Sequence, residues 1–291
     1  MYLRFERRRL DLYAELPAQF REPALTAWAE RKGRRRHALA CFIEGPAFDA
    51  DGNLFVVDIP FGRIFRLGLD AQWTLVRHYD GWPNGMKVLP DGRLLIADHK
   101  LGLLVMDRGT GDYTARSLDL GGNALLGLND LTLAGDGSVF VTDQGDTGLN
   151  DPSGRVLHVG GRGEITVVMD NGPSPNGIVF DAEEEVLYVA MTRANAVWRV
   201  PLRDGRAHRA GIAIQLSGGV GPDGLAFDGE GGVLVAHPGI GLWRFDKAGR
   251  PLTLFEAEGA LLTNLAVRGD PGHQFVFVTD SPNGRIYTAR L

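Results

Sequence analysis

Six stretches of the chain repeat one arrangement: a polar residue, an apolar run, a turn and a second apolar run. They start at Glu44 (EGPAFDADGNLFVVD), Asn84 (NGMKVLPDGRLLIAD), Asn129 (NDLTLAGDGSVFVTD), Asn176 (NGIVFDAEEEVLYVA), Asp223 (DGLAFDGEGGVLVAH) and, within TNLAVRGDPGHQFVFVTD, Asn264. Successive starts lie 40, 45, 47, 47 and 41 residues apart, which is room for about four short strands per unit, as in a propeller blade. Within a unit, apolar and polar residues alternate with the period of a half-buried strand. Asp51-Gly52, Pro90-Asp91-Gly92 and Asp136-Gly137 supply the positive φ that a tight hairpin needs. A third strand follows each pair: GRIFRL, GLLVMD, GRVLHV, AVWRV, GLWRF and GRIYTA. Sustained helical periodicity is absent after residue 40, which argues against α/β and TIM-barrel architectures. The expected fold is therefore all-β, a six-bladed β-propeller over residues 41–291, preceded by an N-terminal arm, residues 1–40, partly helical around PALTAWAERK. A closed ring of blades leaves only short sheet edges, so no covering helix is needed.

Composition narrows the setting. With 291 residues, 44% of them hydrophobic, the chain has ample material for a large core. Forty glycines against the single Cys41 describe a turn-rich protein without a disulfide framework or a multi-cysteine metal site. No apolar run approaches the roughly 18 residues of a membrane span. The opening MYLRFERRRL has no apolar stretch after its basic residues. The expectation is a cytoplasmic protein with no membrane partner. The net charge of −5 is unevenly spread: residues 1–40 hold ten Lys/Arg against five Asp/Glu, the remainder twenty-one against thirty-one. Arg7, Arg8, Arg9 and the RKGRRR run at 31–36 raise the question of nucleic acid. An acidic body repels phosphate, and no nucleic-acid-binding motif accompanies the arginines, so the arm is expected to lie on that body with no nucleic-acid partner. Nothing in the sequence fixes an oligomeric state.

In a propeller the innermost strand of each blade lines the central channel, so the six openers converge near one mouth. All six carry side-chain oxygens and none carries sulfur or imidazole. Such a ring suits a hard cation, Ca²⁺ above all, whereas Zn²⁺ recruits His or Cys. A purely conformational role competes with this reading, because Asn and Asp bond their own backbone at strand starts and Gly follows four of the six openers. Glu44 tips the balance toward a ligand role, since glutamate is poor at such turns.

The anchors Glu44-Gly45-Pro46, Asn129-Asp130, Ser174-Pro175-Asn176-Gly177 and Pro222-Asp223-Gly224 also resemble those of the SMP-30/gluconolactonase/luciferin-regenerating family, over roughly residues 41 to 291. The resemblance implies a six-bladed propeller with one divalent cation at the channel, Ca²⁺ first and Zn²⁺, Mg²⁺ or Mn²⁺ as alternatives. Carried over by position, Glu44, Asn176 and Asp223 match metal ligands, and Asn129 matches an asparagine that contacts metal or substrate. Members of the SMP-30 type hold a sugar-binding arginine two residues before that asparagine. Gly127 stands there in this chain, so the resemblance does not extend to that sugar specificity. TDQGDTGLNDPSGRV and TRANAVWRV look closer to the gluconolactonase-like branch.

The implied activity is metal-dependent opening of a small-molecule lactone by water. A cation that polarises the carbonyl makes a Ser-His-Asp triad unnecessary, and no G-x-S-x-G motif occurs. Asp223 is the catalytic candidate, facing the attacking water, although metal coordination depresses its basicity. Asn84, Asn129, Trp82, His99 and His237 are candidates for substrate binding, with Phe61 and Met191 as further wall residues. His99 and His237 follow equivalent strands and titrate in a useful range. The alternatives are a phosphotriesterase-like hydrolase and a non-catalytic propeller binding protein with a structural cation.

Overall fold

The computed structural model describes residues 4–33, 38–116, 118 and 120–291; Arg34, Arg35 and Arg36 of the basic run lie outside them. Six sheets follow one another along the chain, each an antiparallel meander running outward from its innermost strand, with one parallel strand added at the outer edge of the fifth. Those innermost strands are Ile43–Phe48, Pro83–Val88, Leu128–Leu133, Pro175–Phe180, Leu225–Phe227 and Leu262–Arg268. Each packs against the next, and the sixth packs against the first, so the blades close a six-bladed β-propeller. Six apolar clusters fill the seams between neighbouring blades. Their residues come from alternate positions of the strands, the faces that a pleated sheet buries.

The N-terminal segment is knitted into the ring. Glu6–Arg9 lies parallel to Pro251–Glu256 as a fifth strand of blade 5, and Asp11–Glu15 pairs antiparallel with Arg285–Arg290 as the outer strand of blade 6. Blade 6 thus combines three C-terminal strands with one from the N-terminal segment, which fastens the ring. Leu10 is buried in the seam between blades 5 and 6, and Leu16 in the seam between blades 6 and 1. Arg7 pairs with Glu256 at 2.8 Å, and Arg9 reaches Glu258 at 3.7 Å, basic residues on an acidic body as the charge distribution predicts. A short helix, Ala27–Arg31, is capped by Thr26 Oγ1, which accepts from the Ala29 N–H, and buries Trp28 and Ala29 over the seam of blades 1 and 2.

Two devices set the inner strands. In five blades the pairing of first and second strands slips between the start of the strand and a point one to three residues beyond the opener, an irregularity of the bulge type. The glycines after four openers are required by close approach. A Cβ on Gly45 would run into Asn84 O, one on Gly85 into Asp130, one on Gly177 into Asp223 O and one on Gly224 into Asn264. Each therefore lets one blade touch the opener of the next. The second device is an aspartate ending the second strand of four blades. Asp58, Asp98, Asp143 and Asp280 accept the backbone N–H groups of Phe42, Trp82, Gly127 and Leu261, holding the chain just before it enters the inner strand. Arg63 and Arg155 complete Asp58 and Asp143 as ion pairs. Cys41 is buried beside Ser281 and Pro282, and burial pushes its thiol up to about 12, so it remains a protonated packing group.

Candidate functional site

The openers border a cavity of about 750 Å³ at one mouth of the channel. Glu44, Asn84, Asn129, Asn176 and Asp223 all line it; Asn264, the sixth opener, does not. Asn264 instead hydrogen-bonds the carboxyls of Glu44 and Asp130 beneath the floor and accepts the Leu265 N–H at 2.8 Å.

The floor concentrates negative charge. Glu44 is buried and accepts the Gly45 N–H at 3.0 Å. Burial pushes it up to about 7, against hydrogen bonds from Thr263, Gly45 and Asn264. Asp223 keeps part of its surface toward the cavity. Burial of its carboxyl, together with the charges of Glu44 and Asp130, raises it well above the ordinary carboxylate range. Asp130, absent from the sequence-derived set, is a third buried carboxyl; burial raises it, and Lys87 and the Leu131 N–H oppose that shift. Carboxylates crowded in this way favour either protonation or a cation.

The amides show which outcome the donors fit. Asn176 is buried, hydrogen-bonds Asp223, and leaves its Oδ1 buried and without a partner. An orphaned carbonyl oxygen beside two carboxylates is a donor set for a hard cation. Asn129 donates its Nδ2 to Gln144 Oε1 at 2.9 Å, and Gln144 donates to Ser174 Oγ at 3.1 Å, which fixes the orientation of the Asn129 amide. Among the described residues no three His, Cys, Asp or Glu side chains are placed to share one metal ion, so a cation here would depend on two carboxylates plus amide oxygens.

Of the substrate-binding candidates, Asn84, Asn129 and His99 line the cavity, while Trp82 and His237 do not. The His99 ring packs against Gly127, where φ is +138° and any Cβ would run into the imidazole. The space available to a longer side chain at 127 is taken by this ring. Burial, then the charges of Lys32 and Arg31, push His99 down to about 4, and its Nε2 is buried without a partner. It is thus a neutral imidazole at neutral pH. His237 sits behind the wall with Nε2 3.1 Å from Gly218 O, its pKa lowered by burial. Trp82 packs into the seam of blades 1 and 2, its ring 6.0 Å from that of His99. Phe61 lies with Trp82 on a separate outer groove, and Met191 is core between blades 3 and 4.

The part that the sequence pattern does not signal is the roof. Trp28, Arg31 and Lys32 come from the N-terminal helix and its cap and border the same cavity. Arg31 and Lys32 bind Asp146 of blade 3 at 3.0 Å each. The apolar pattern of LTAWAERK announces a helix, but nothing local says where it docks. Thr147, Ser174, Thr192 and Arg193 complete the blade 3 and 4 side.

Fold and site together define a six-bladed β-propeller with an oxygen-rich cup at one channel mouth. The family described as the SMP-30/Gluconolactonase/LRE-like region spans residues 42–282, and the chain belongs to it. Lactonase drp35 of Staphylococcus haemolyticus is 27% identical over 170 residues, covering 56% of this chain and 51% of that protein. Lactonase drp35 of Staphylococcus aureus (strain USA300) is 29% identical over 181 residues, 60% of this chain and 53% of that protein. The chain thus aligns with about half the length of the curated relatives it matches. A gluconolactonase structure from Xanthomonas campestris superposes with a TM-score of 0.77 at 24% identity, over 96% of this chain and 98% of that one. The calcium-binding protein regucalcin of Agrobacterium tumefaciens superposes at 0.75 with 24% identity, over 97% and 94%. At these identities the superpositions establish the fold. Among the described residues no helix is long and apolar enough to cross a membrane.

Proposed function

We propose that the chain is a hydrolase that opens lactones with water, using a divalent cation held by Glu44, Asn176 and Asp223 with Asn129 beside them. The observation that carries this reading is the buried Asn176 Oδ1 without a partner beside two carboxylates that burial and mutual repulsion hold above their ordinary range. Ca²⁺ suits such hard oxygen donors best. The relatives named lactonase and gluconolactonase support the reaction class, and the calcium-binding regucalcin supports the cation.

When bound, the cation supplies Lewis-acid polarisation of the lactone carbonyl, worth several kcal/mol of transition-state stabilisation. The chain's own groups do the rest. Asp223, the floor carboxylate with surface open to the cavity, accepts a hydrogen bond from the attacking water and orients it. Asn129, its amide fixed by Gln144, and Asn84 position the substrate from neighbouring blades. His99 borders the substrate side as a neutral ring. With a pKa near 4 it is too weakly basic to serve as the resting general base at neutral pH. Trp28 and its helix narrow the cavity against bulk water.

A panel of γ- and δ-lactones, sugar and aliphatic, run beside phosphotriesters with acid release as the readout, tests this. Expected is lactone hydrolysis that disappears on chelation, returns with a divalent cation and exceeds phosphotriester hydrolysis. Full lactone turnover by the stripped protein, or none under any metal, overturns it.

A further inference from the structure

We propose that the substrate carries a carboxylate beside its lactone ring, and that Arg193 is the specificity-determining residue that receives it. The proposal deepens the hydrolase reading above and rests on it for the word lactone. It starts from the charges around one cavity. Of the floor carboxyls only Glu44 and Asp223 line the cavity, and a divalent cation bound there would cancel their charge, while Asp130 lies beneath with Lys87 opposing it. Arg31, Lys32 and Arg193 supply three positive charges to the upper wall, against the single carboxylate of Asp146. Arg31 and Lys32 are both committed to Asp146, through Nε at 3.1 Å and Nζ at 3.0 Å. Arg193 forms no ion pair among the described residues, its charge reaching Asp223 only at longer range, and its side chain runs alongside Gly148.

The remaining polar groups of the wall are uncharged, among them Asn84, Gln144, Asn150 and Ser174, and His99 is held neutral by its surroundings. The cavity with its cation in place thus presents a surplus of positive charge, and a neutral lactone would leave that surplus unused. Unpaired surface arginines are ordinary. This one differs because its backbone is fixed at the cavity edge. It sits in the 3₁₀ turn Thr192–Ala194, closed by Asn195 in the left-handed conformation at φ +49°. Thr192 Oγ1 donates to Pro222 O at 2.8 Å, and the Arg193 N–H donates to Pro173 O at 3.3 Å. A guanidinium on a fixed base offers two parallel N–H donors, the geometry that a planar carboxylate accepts in bidentate fashion. Apolar groups border the cavity on both sides, Phe42 and Ile59 from blade 1 and Leu149 and Val220 on the side of Arg193, so an apolar ring fits between them with one acidic substituent at the guanidinium.

The test uses the Ca²⁺-supplemented full chain and two lactams that cannot be hydrolysed as esters, 5-oxopyrrolidine-2-carboxylate and its neutral carboxamide. Calorimetry on the wild type is expected to show the acid binding at least about tenfold tighter than the amide, the scale of one charge-assisted hydrogen-bond pair. R193Q is expected to abolish that preference, and R193K to retain part of it, since lysine keeps the charge without the fork. With the corresponding γ-lactones, R193Q should lower kcat/KM for the acid about 10- to 100-fold more than for the amide. Equal binding of acid and amide by the wild type, no binding of the acid at millimolar concentration, or a preference that survives in R193Q each overturns the proposal. Because the lactams report binding without turnover, acid preference without lactone hydrolysis would refute the hydrolase reading and leave the anion site standing. Hydrolysis without acid preference would do the reverse.

Discussion

The two ends of the central channel are built from the same six strands and differ completely in chemistry. At the strand starts stand Glu44, Asn84, Asn129, Asn176, Asp223 and Asn264; two to four residues further on, the same strands line a smaller opening of about 430 Å³ with Ala47, Val88, Leu133, Val179 and Phe227. Lys87 and Thr132 are the polar exceptions there. Strand alternation alone does not produce this contrast, since it would send every second residue to the axis along the whole strand. The register slips beside the openers make the difference, releasing the first residues from the regular ladder before the apolar remainder resumes it. The oxygen donors are thereby gathered at one mouth, the one that the N-terminal helix covers.

The largest expected effect lies at that mouth. Asp223→Asn should lower kcat/KM for lactones by about 10³-fold, roughly 4 kcal/mol of transition-state stabilisation, while leaving the circular dichroism spectrum of the propeller intact. A loss within tenfold would mean that the floor carboxylates do not take part. Next comes the cover: Trp28→Ala should cost about 3 kcal/mol in urea unfolding, because a buried indole leaves the seam of blades 1 and 2. A cost under about 0.5 kcal/mol would show the helix to be an undocked appendage.

The far mouth should answer in stability and not in turnover. Lys87→Met removes the cation that opposes the raised pKa of buried Asp130, so about 1 kcal/mol of stability should be lost with lactone hydrolysis changed less than about threefold. A collapse of activity in this variant would break the division between the two ends. A further effect concerns acid sensitivity. His99 sits lowered from 6.5 to about 4, so the unfolded chain binds its proton first as pH falls through that window. His99 therefore removes stability between pH 6.5 and 4, and His99→Gln should flatten the fall of the unfolding midpoint across that range. An unchanged slope would place the imidazole in a more solvated setting.

Much of this was legible in the sequence, and the reasons are local. The blade count follows from six openers at nearly constant spacing, because each unit contains its own hairpin and alternation. Five of the six openers do reach one cavity. What the sequence hid depends on contacts between distant residues. Asn264 repeats the pattern yet turns beneath the floor toward Glu44 and Asp130. Asp130 follows an opener where Gly stands in four other blades, and that exchange was the available signal for a third carboxyl. His99 follows its second strand, but His237 ends its own, in register with Asp98, and bonds Gly218 O, so only His99 faces the cavity. Trp28, Arg31 and Lys32 carry no motif, and only the docking of their helix over blades 1 and 2 brings them to the site. The closing strands at Glu6–Arg9 and Asp11–Glu15 were hidden in the same way, since their partners lie at the far end of the chain.

The central claim is that the openers form a cation cup, and calorimetric titration of Ca²⁺ into the chelator-stripped protein tests it most directly. The account predicts one saturable site per chain, absent in Glu44→Gln and Asp223→Asn and unaffected in Lys87→Met. A wild type that takes up no cation from Ca²⁺, Mg²⁺, Mn²⁺ or Zn²⁺, or a site that survives both carboxylate substitutions, would contradict it.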